Sequence, residues 1–414
     1  MSDLAMPHQR RWQPWYTVVI LAGIGWVFMY ANRTVLSPVL PLIGMEWELN
    51  QTQLGLISSL FFLAYTVVQI PVGMLSDRLG RRLPILVPGF LLFGFGTLLT
   101  GFVPSYAALL LLSVLTGVGQ GTYYPTQFSL STAMVPVSRR GLSAAIINSG
   151  QAVGISLGLL VSSYSALGFE NGWRLPFIIL AVPTLLTGLA FWRFVREPAT
   201  GNRRPASVPA IDVDEGIEKP PAGLGRECRP WSRNLVLLYV LNFSSLYGFF
   251  VILTWLPYYL QTVRGYDGVA VGWISSLVAW TAVPGGLMAS WASDRLVQRK
   301  TVAMIMLPFA AVSLAAIPLL RSDSALIVSL IVYGLFGKIA LDPVLAALVA
   351  DLADRHVYGT VFGLFNFAGM FSSVLAPYVT GFLADRSGTL DVGFYLAAGL
   401  AAVGMFAAVL LKPK

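Results

Sequence analysis

Charge is what this chain is short of. Only 11% of its 414 residues are Asp, Glu, Lys or Arg, against about 25% in a soluble globular protein. Hydrophobic residues make up 56% and mean hydropathy is +0.72, which excludes a water-soluble fold. A single cysteine, Cys228, excludes a disulfide framework and any cysteine-rich metal site. Two histidines, His8 and His356, are too few to build a buried zinc centre. Neither a metal nor a cofactor is expected. Also missing are the alternating segments of about ten residues from which membrane β-barrels are built. The net charge of +8 would point to nucleic acid in a soluble protein. In a membrane protein it reports which loops face the cytoplasm, and no nucleic-acid partner is expected.

What the chain has instead is a series of long apolar runs. A spanning helix needs about 20 mostly apolar residues. Twelve runs qualify, at 15–43, 52–75, 83–103, 105–136, 142–167, 174–195, 234–262, 268–291, 301–320, 324–350, 357–384 and 389–411. The expected fold class is an all-α membrane protein of twelve transmembrane helices in two pseudo-symmetric six-helix bundles, with lipid as its surroundings and a monomer as its expected state. The first run is too long for a signal-peptide core and lacks a small-residue cleavage site, so it counts as a helix.

The basic residues then orient the chain. Placing both termini in the cytoplasm puts Arg10, Arg11, Arg78, Arg81, Arg82, Arg139, Arg140, Arg295, Arg299, Lys300, Arg355, Lys412 and Lys414 on that side, with eight more between 193 and 233. The other side receives Arg174, Arg264, Arg321 and Arg386. Such an asymmetry is how cytoplasmic loops are recognised. With a short N-terminal tail and no cleavable leader, a bacterial inner membrane is the expected location.

The segment 196–233 is polar, rich in proline and of mixed charge, and reads as a cytoplasmic linker. It separates an N-terminal bundle over 1–195 from a C-terminal bundle over 234–414. The halves echo one another. Gly73-Met74-Leu75-Ser76-Asp77-Arg78-Leu79-Gly80-Arg81-Arg82 returns imperfectly as Ala289 to Lys300, which includes Asp294 and Arg295, and Gly119 to Pro125 matches Gly337 to Pro343. Duplicated bundles around a midplane cavity are the architecture of alternating-access transporters.

The Gly-x-x-x-Asp-Arg-x-Gly-Arg-Arg loop at 73–82, its degenerate copy and the two sets of six spans resemble the major facilitator superfamily over the whole chain. A finer resemblance is to the anion:cation symporter family, which carries organic anions such as sugar acids. Its features here are Arg33 in the first span, Gly119 through Tyr124-Pro125 in the fourth, Ser149-Gly150-Gln151 in the fifth, Trp255-Leu256-Pro257 in the seventh, and Phe365-Asn366-Phe367 with Gly369 and Pro377 in the eleventh. The resemblance implies a gating role for Asp77, Arg78 and Arg82, and for Asp294 and Arg295 in the copy, where acid and base tie neighbouring helix ends together in one conformation. The chain also departs from that family. An acid usually precedes the first-span arginine and another lies in the fourth span, and Asn32 and Gln120 stand at those positions. Proton coupling cannot be carried over from the family through them.

Three ionisable residues fall inside spans: Arg33, Lys338 and Asp342. A charge at bilayer depth costs about 2.5–3.5 kcal/mol on insertion scales, so one that is kept faces a cavity or a partner. Arg33 offers a planar fork able to grip a carboxylate bidentately. It is expected to anchor an anion; the plainer role is to brace the two halves by pairing with Asp342 or a helix end. Lys338 and Asp342 are four residues apart and share a helix face. They are either a static ion pair or a switch in which protonating Asp342 frees Lys338 to join Arg33 in binding. Asp342 is thus the proton-coupling candidate. Two cations against one acid favour anionic cargo.

Polar and aromatic residues expected to line the same site are Tyr65 and Gln69 on the second span, Gln120, Tyr123 and Tyr124 on the fourth, Asn148 and Gln151 on the fifth, Asn242 and Tyr247 on the seventh, Trp280 on the eighth and Asn366 on the eleventh. Each could instead bond helix to helix, since polar side chains also act as glue between spans. Gly154-Ile155-Ser156-Leu157-Gly158 has the pattern of a hydrolase nucleophile elbow, which needs a strand-turn-helix and a histidine base. Gly150, Gly154 and Gly158 read better as a stripe for close helix packing. In drug antiporters that stripe contains a proline, and Ile155 stands in its place.

No nucleophile–base pair or metal cluster lies at membrane depth, so an enzyme is not expected. The expected function is secondary active transport of a small organic anion by proton-coupled symport. The alternatives are an exporter or exchanger of amphiphilic or chelating, siderophore- or drug-like anions, and a receptor that binds without translocating.

Overall fold

Apolar runs without strand alternation can satisfy their backbone in lipid only as helices, and among the described residues the chain is helical with no strand. The computed structural model describes residues 12–167, 172–197, 231–296, 298–353 and 358–412. Most of the proposed linker, with Cys228, and both histidines lie outside them.

The first half comprises α1 (Pro14–Thr34), α2 (Leu40–Trp47), α3 (Gln51–Leu79), α4 (Leu83–Thr100), α5 (Tyr106–Gly121), α6 (Tyr123–Met134), α7 (Arg140–Ser162) and α8 (Leu175–Phe194). The second comprises α9 (Arg233–Thr262), α10 (Gly268–Leu296), α11 (Arg299–Leu319), α12 (Asp323–Phe336), α13 (Lys338–Leu352), α14 (Tyr358–Ser387) and α15 (Asp391–Leu410). Among the described residues, eleven helical segments are long and apolar enough to cross a membrane. The run expected at 105–136 is the remaining span, and it is divided at Thr122 into two shorter helices, α5 and α6. Pro125 explains the division, because it has no N–H to give the Gly121 carbonyl four residues earlier. The run at 324–350 is also interrupted. Gly337 is extended at φ −80° and ψ −167°, its N–H caps the Tyr333 carbonyl at 2.6 Å, and Lys338 opens a new helix. Spacing of apolar residues does not register either break, since both arise from a local backbone group.

Within the first half, α1 lies along α7 and α3 along α5; within the second, α9 packs on α14 and α15. The α1–α7 contact is close because the space a Cβ would fill at Gly150, Gly154 and Gly158 is taken by the backbone carbonyls of Gly23, Val27 and Ala31. Thr34 donates to the Ile155 carbonyl at 3.2 Å and Ser162 to that of Val35 at 2.7 Å. The stripe is therefore a packing surface, built on helix throughout rather than on a strand-turn-helix elbow.

Between the halves, α3 meets α14 and α7 meets α10. Among the described residues, the hydrogen bonds seen to cross lie at one end of the bundle, the end away from Arg78, Arg139 and Arg295. There Gln51 and Thr52 bond to Asp385 and Gln261 donates to the Pro38 carbonyl at 2.7 Å. At the same end the Pro377 carbonyl fills the space beside Gly55, the Gln51 carbonyl that beside Gly381, and Ser163 that beside Gly272. Toward the basic end the facing helices leave Asn148 and Asn366 exposed. Asn148 shares a helix face with Ile155, seven residues on, which lines a small apolar pocket between the halves with Leu253, Ala279 and Ile339. Asn366 shares a face with Met370 and Pro377, and Met370 packs against the core of the first half. Exposed polar groups on inner faces belong in water rather than lipid, so the bundle is closed at one end and open at the basic end.

Candidate functional site

Arg33 lies in the last turn of α1 on the same face as Tyr30 and Trp26. Packing of α1 on α7 directs that face across the first bundle, where α3 and α5 complete its surroundings. The guanidinium sits 4.3 Å from the Tyr65 ring centroid, 4.8 Å from Tyr30 and 5.9 Å from Phe62. Its Nε donates to Gln120 Oε1 at 2.9 Å, and Gln120 Nε2 donates in turn to the Met29 carbonyl at 3.3 Å. Arg33 is 9% exposed, its Nη2 is buried without a hydrogen-bond partner, and among the described residues no carboxylate is within ion-pair distance of it.

A desolvated cation–π contact contributes about 2 kcal/mol and a hydrogen bond to a charged group about 1.5–3 kcal/mol. These contacts offset the cost of placing one arginine at membrane depth, about 2.5–3.5 kcal/mol, without cancelling its charge. The group is held in place with its charge uncancelled. Bracing through Asp342 is not what the structure shows, because Asp342 pairs with Lys338.

That pair begins α13. Lys338 is buried and Asp342 half exposed. A lysine at a helix N-terminus faces the positive end of the macrodipole, an unfavourable position that the i+4 carboxylate relieves. Ile155 connects this element to α1, since its carbonyl accepts from Thr34, beside Arg33, and its side chain shares the inter-half pocket with Ile339, beside Lys338.

The structure gathers some of the expected lining residues and separates others. Tyr65 and Gln120 touch Arg33. Gln69, one turn beyond Tyr65, has a buried Nε2 without a partner. Tyr124 is part-exposed and packs edge-on to Trp26. Asn148 and Gln151 share the α7 face that carries Ile155, and Asn366 is exposed on α14, the helix that meets α3. Tyr123 points the other way. Its hydroxyl donates to the Ala22 carbonyl at 2.7 Å and its ring packs among Trp26, Phe90 and Phe191, so it belongs to the bundle core. Tyr247 is buried beside Phe243. Asn242 donates to the Phe365 carbonyl at 2.7 Å, as glue between α9 and α14. Trp280 lies on an exposed apolar face with Trp273, Leu287 and Trp291, spaced for lipid contact. Arg33's partners Tyr30 and Phe62, and the Trp26 ring stacked on Tyr30, were missed by sequence reading. Tyr30 and Trp26 carried a signal, three and seven residues before Arg33, whereas Phe62 depends on tertiary packing.

At the basic end, Arg82 bonds to Ser129 Oγ at 3.0 Å within the first half and to Glu197 at the start of the linker segment. Arg78 and Asp294 are exposed, and Arg295 stacks over Trp291 at 4.8 Å. The side chain of Asp77 lies outside the described residues.

The model of the Major Facilitator Superfamily matches residues 22–369 and 238–414. The chain belongs to that superfamily. It is a transporter and not an enzyme. Among its relatives, the probable sulfoacetate transporter SauU of Cupriavidus necator is 28% identical over 93% of this chain and 90% of that one. The hexuronate transporter of Bacillus subtilis is 25% identical over 95% and 93%, and the D-galactonate transporter of Escherichia coli 26% identical over 99% and 97%. In fold it is similar to a bacterial homolog of the human lysosomal transporter Spinster in an inward-facing, unoccupied conformation, with a TM-score of 0.72 and 18% identity over 96% of this chain and 95% of that one.

Proposed function

We propose that this transporter carries a small organic anion across a bacterial inner membrane by alternating access, with its termini and basic end in the cytoplasm. The observation that carries the reading is Arg33, a buried guanidinium with an unpartnered Nη2 and no carboxylate of the described residues beside it. An incoming carboxylate supplies the missing acceptor. Charge-assisted contacts of this kind are about twice as strong as neutral ones, and the rings of Tyr30 and Tyr65 keep water from competing. Gln69, Asn148, Gln151 and Asn366 supply polar contacts to the rest of the cargo. The relatives support this class, since sulfoacetate, hexuronates and galactonate are all anions.

Coupling falls to the second half. Asp342, whose side chain is half exposed, is in this reading the group that exchanges a proton with water of the open end. Protonation releases Lys338, which adds to the positive field of Arg33 and of the α13 N-terminus. Proton and anion then load together, and rocking of the halves exposes the site to the other face. With the basic end cytoplasmic, the conformation described is inward-facing.

A second reading, exchange of an amphiphilic or ring-bearing anion, is favoured by the aromatic run of Trp26, Tyr124 and Phe128 beside the site. Uptake into proteoliposomes under an inward proton gradient separates the two. Accumulation of hexuronate or galactonate above equilibrium supports symport; uptake that requires internal anion and ignores the gradient supports exchange.

A further inference from the structure

The loop pattern at 73–80 occurs once more, at the opposite end of the bundle. Gly381-Phe382-Leu383-Ala384-Asp385-Arg386-Ser387-Gly388 repeats Gly-x-x-x-Asp-Arg-x-Gly in full. Each copy ends its helix on a left-handed glycine, Gly80 at φ 60° and Gly388 at φ 76°. In the second copy the acid reaches across to the other half. Asp385 Oδ1 accepts the Gln51 N–H at 2.9 Å, and Oδ2 accepts the Thr52 N–H at 2.7 Å and the Thr52 hydroxyl at 2.5 Å.

The start of α3 makes these bonds consequential. Asn50 and Gln53 form a reciprocal capping box, each side chain bonding the other's N–H at 3.0 Å and 2.9 Å. That leaves the first-turn N–H groups of Gln51 and Thr52 without a partner of their own helix, and Asp385 takes both. Gly55 and Gly381 let the backbones close around the contact, with the Pro377 carbonyl against the first and the Gln51 carbonyl against the second. A related Thr-x-x-Gly stretch opens α14, at Thr360 to Gly363. There, at the open end, nothing lies within 4 Å of the Cβ position of Gly363.

We infer that Asp385 is a state-selective latch: its carboxylate completes the N-terminal cap of α3 only while the end opposite the basic loops is shut. Opening that end pulls α3 from α14 and leaves two backbone donors and the Thr52 hydroxyl to water. The carboxylate therefore sets how long the closed end stays closed, independently of what the transporter carries. Arg386, its neighbour in the motif, stacks on Phe382 at 4.6 Å and takes no part in the bonds.

The test is a distance measurement without substrate. Spin labels are placed at Pro104 and Ser324, exposed positions at the closed end on different halves, in a Cys228→Ser chain in nanodiscs. Asp385→Asn and Thr52→Val should each move the population toward longer distances, Asp385→Asn changing the closed-to-open ratio by about tenfold. Together they should be less than additive, because they remove a shared contact. Arg386→Ala should leave the distribution as in the parent. Thr52→Val deletes only one hydroxyl and keeps the question answerable if Asp385→Asn folds poorly. Unaltered distances in both latch variants, or an equal shift in Arg386→Ala, would overturn the inference.

Discussion

Lys338 and Asp342 are paired one turn apart on α13, with the lysine side chain 3% exposed and the aspartate 49%. The cation is enclosed by protein and the acid is half exposed, so of the two it is the acid to which the proposed coupling assigns the proton. In Asp342→Asn the ammonium has a neutral partner at every pH. Proton-driven accumulation should fall to the equilibrium level, while counterflow of labelled against unlabelled anion persists. Accumulation at the parental level would remove Asp342 from the coupling mechanism.

Gln120 touches Arg33 through the guanidinium Nε and anchors itself on the Met29 carbonyl. Its task in this account is to hold the fork, not to bind cargo. Gln120→Leu should raise KM by about tenfold, equivalent to about 1.4 kcal/mol, with kcat within about twofold. A fall in kcat at unchanged KM would show that the residue serves a later step.

Much of this was legible before any coordinates, and the reasons are physical. Spans, orientation and the stranded charges follow from the cost of polarity in lipid, which acts on each residue wherever its neighbours lie. Arg33, Lys338 and Asp342 could therefore be found by counting. Which side chains face them depends on how helices rotate against one another. Tyr123 and Tyr124 are adjacent in sequence, yet one is locked in the bundle core and the other is part-exposed against Trp26. Trp280 fails as a lining candidate for the same reason, since an aromatic faces lipid as readily as cargo. The latch at Asp385 was visible as a pattern, but only the contact with Gln51 and Thr52 gives it meaning.

Tyr65 packs its ring on the Arg33 guanidinium at 4.3 Å. Tyr65→Phe keeps the ring and should bind anion within about twofold of the parent, whereas Tyr65→Leu should lose about fivefold to thirtyfold, for a contact of about 1–2 kcal/mol. Calorimetric titration checks both. Equal loss in the two variants would mean that the hydroxyl, not the ring, matters.

Gly154 has no room for a side chain, because the Val27 backbone fills the Cβ position. Gly154→Leu should force α1 from α7, costing about 1–3 kcal/mol and displacing Arg33 with its helix. A lowered Tm together with weakened anion binding is expected. An unchanged Tm would contradict the role of the stripe.

The most direct test is the affinity of the purified transporter for hexuronate, galactonate and sulfoacetate, measured by calorimetry in the parent, Arg33→Lys and Arg33→Ala chains. At least one of these anions should bind the parent. Arg33→Ala should then lose about a hundredfold or more and Arg33→Lys an intermediate amount, as a point charge replaces a bidentate fork. Anion binding of parental strength by a folded Arg33→Ala chain would contradict the account.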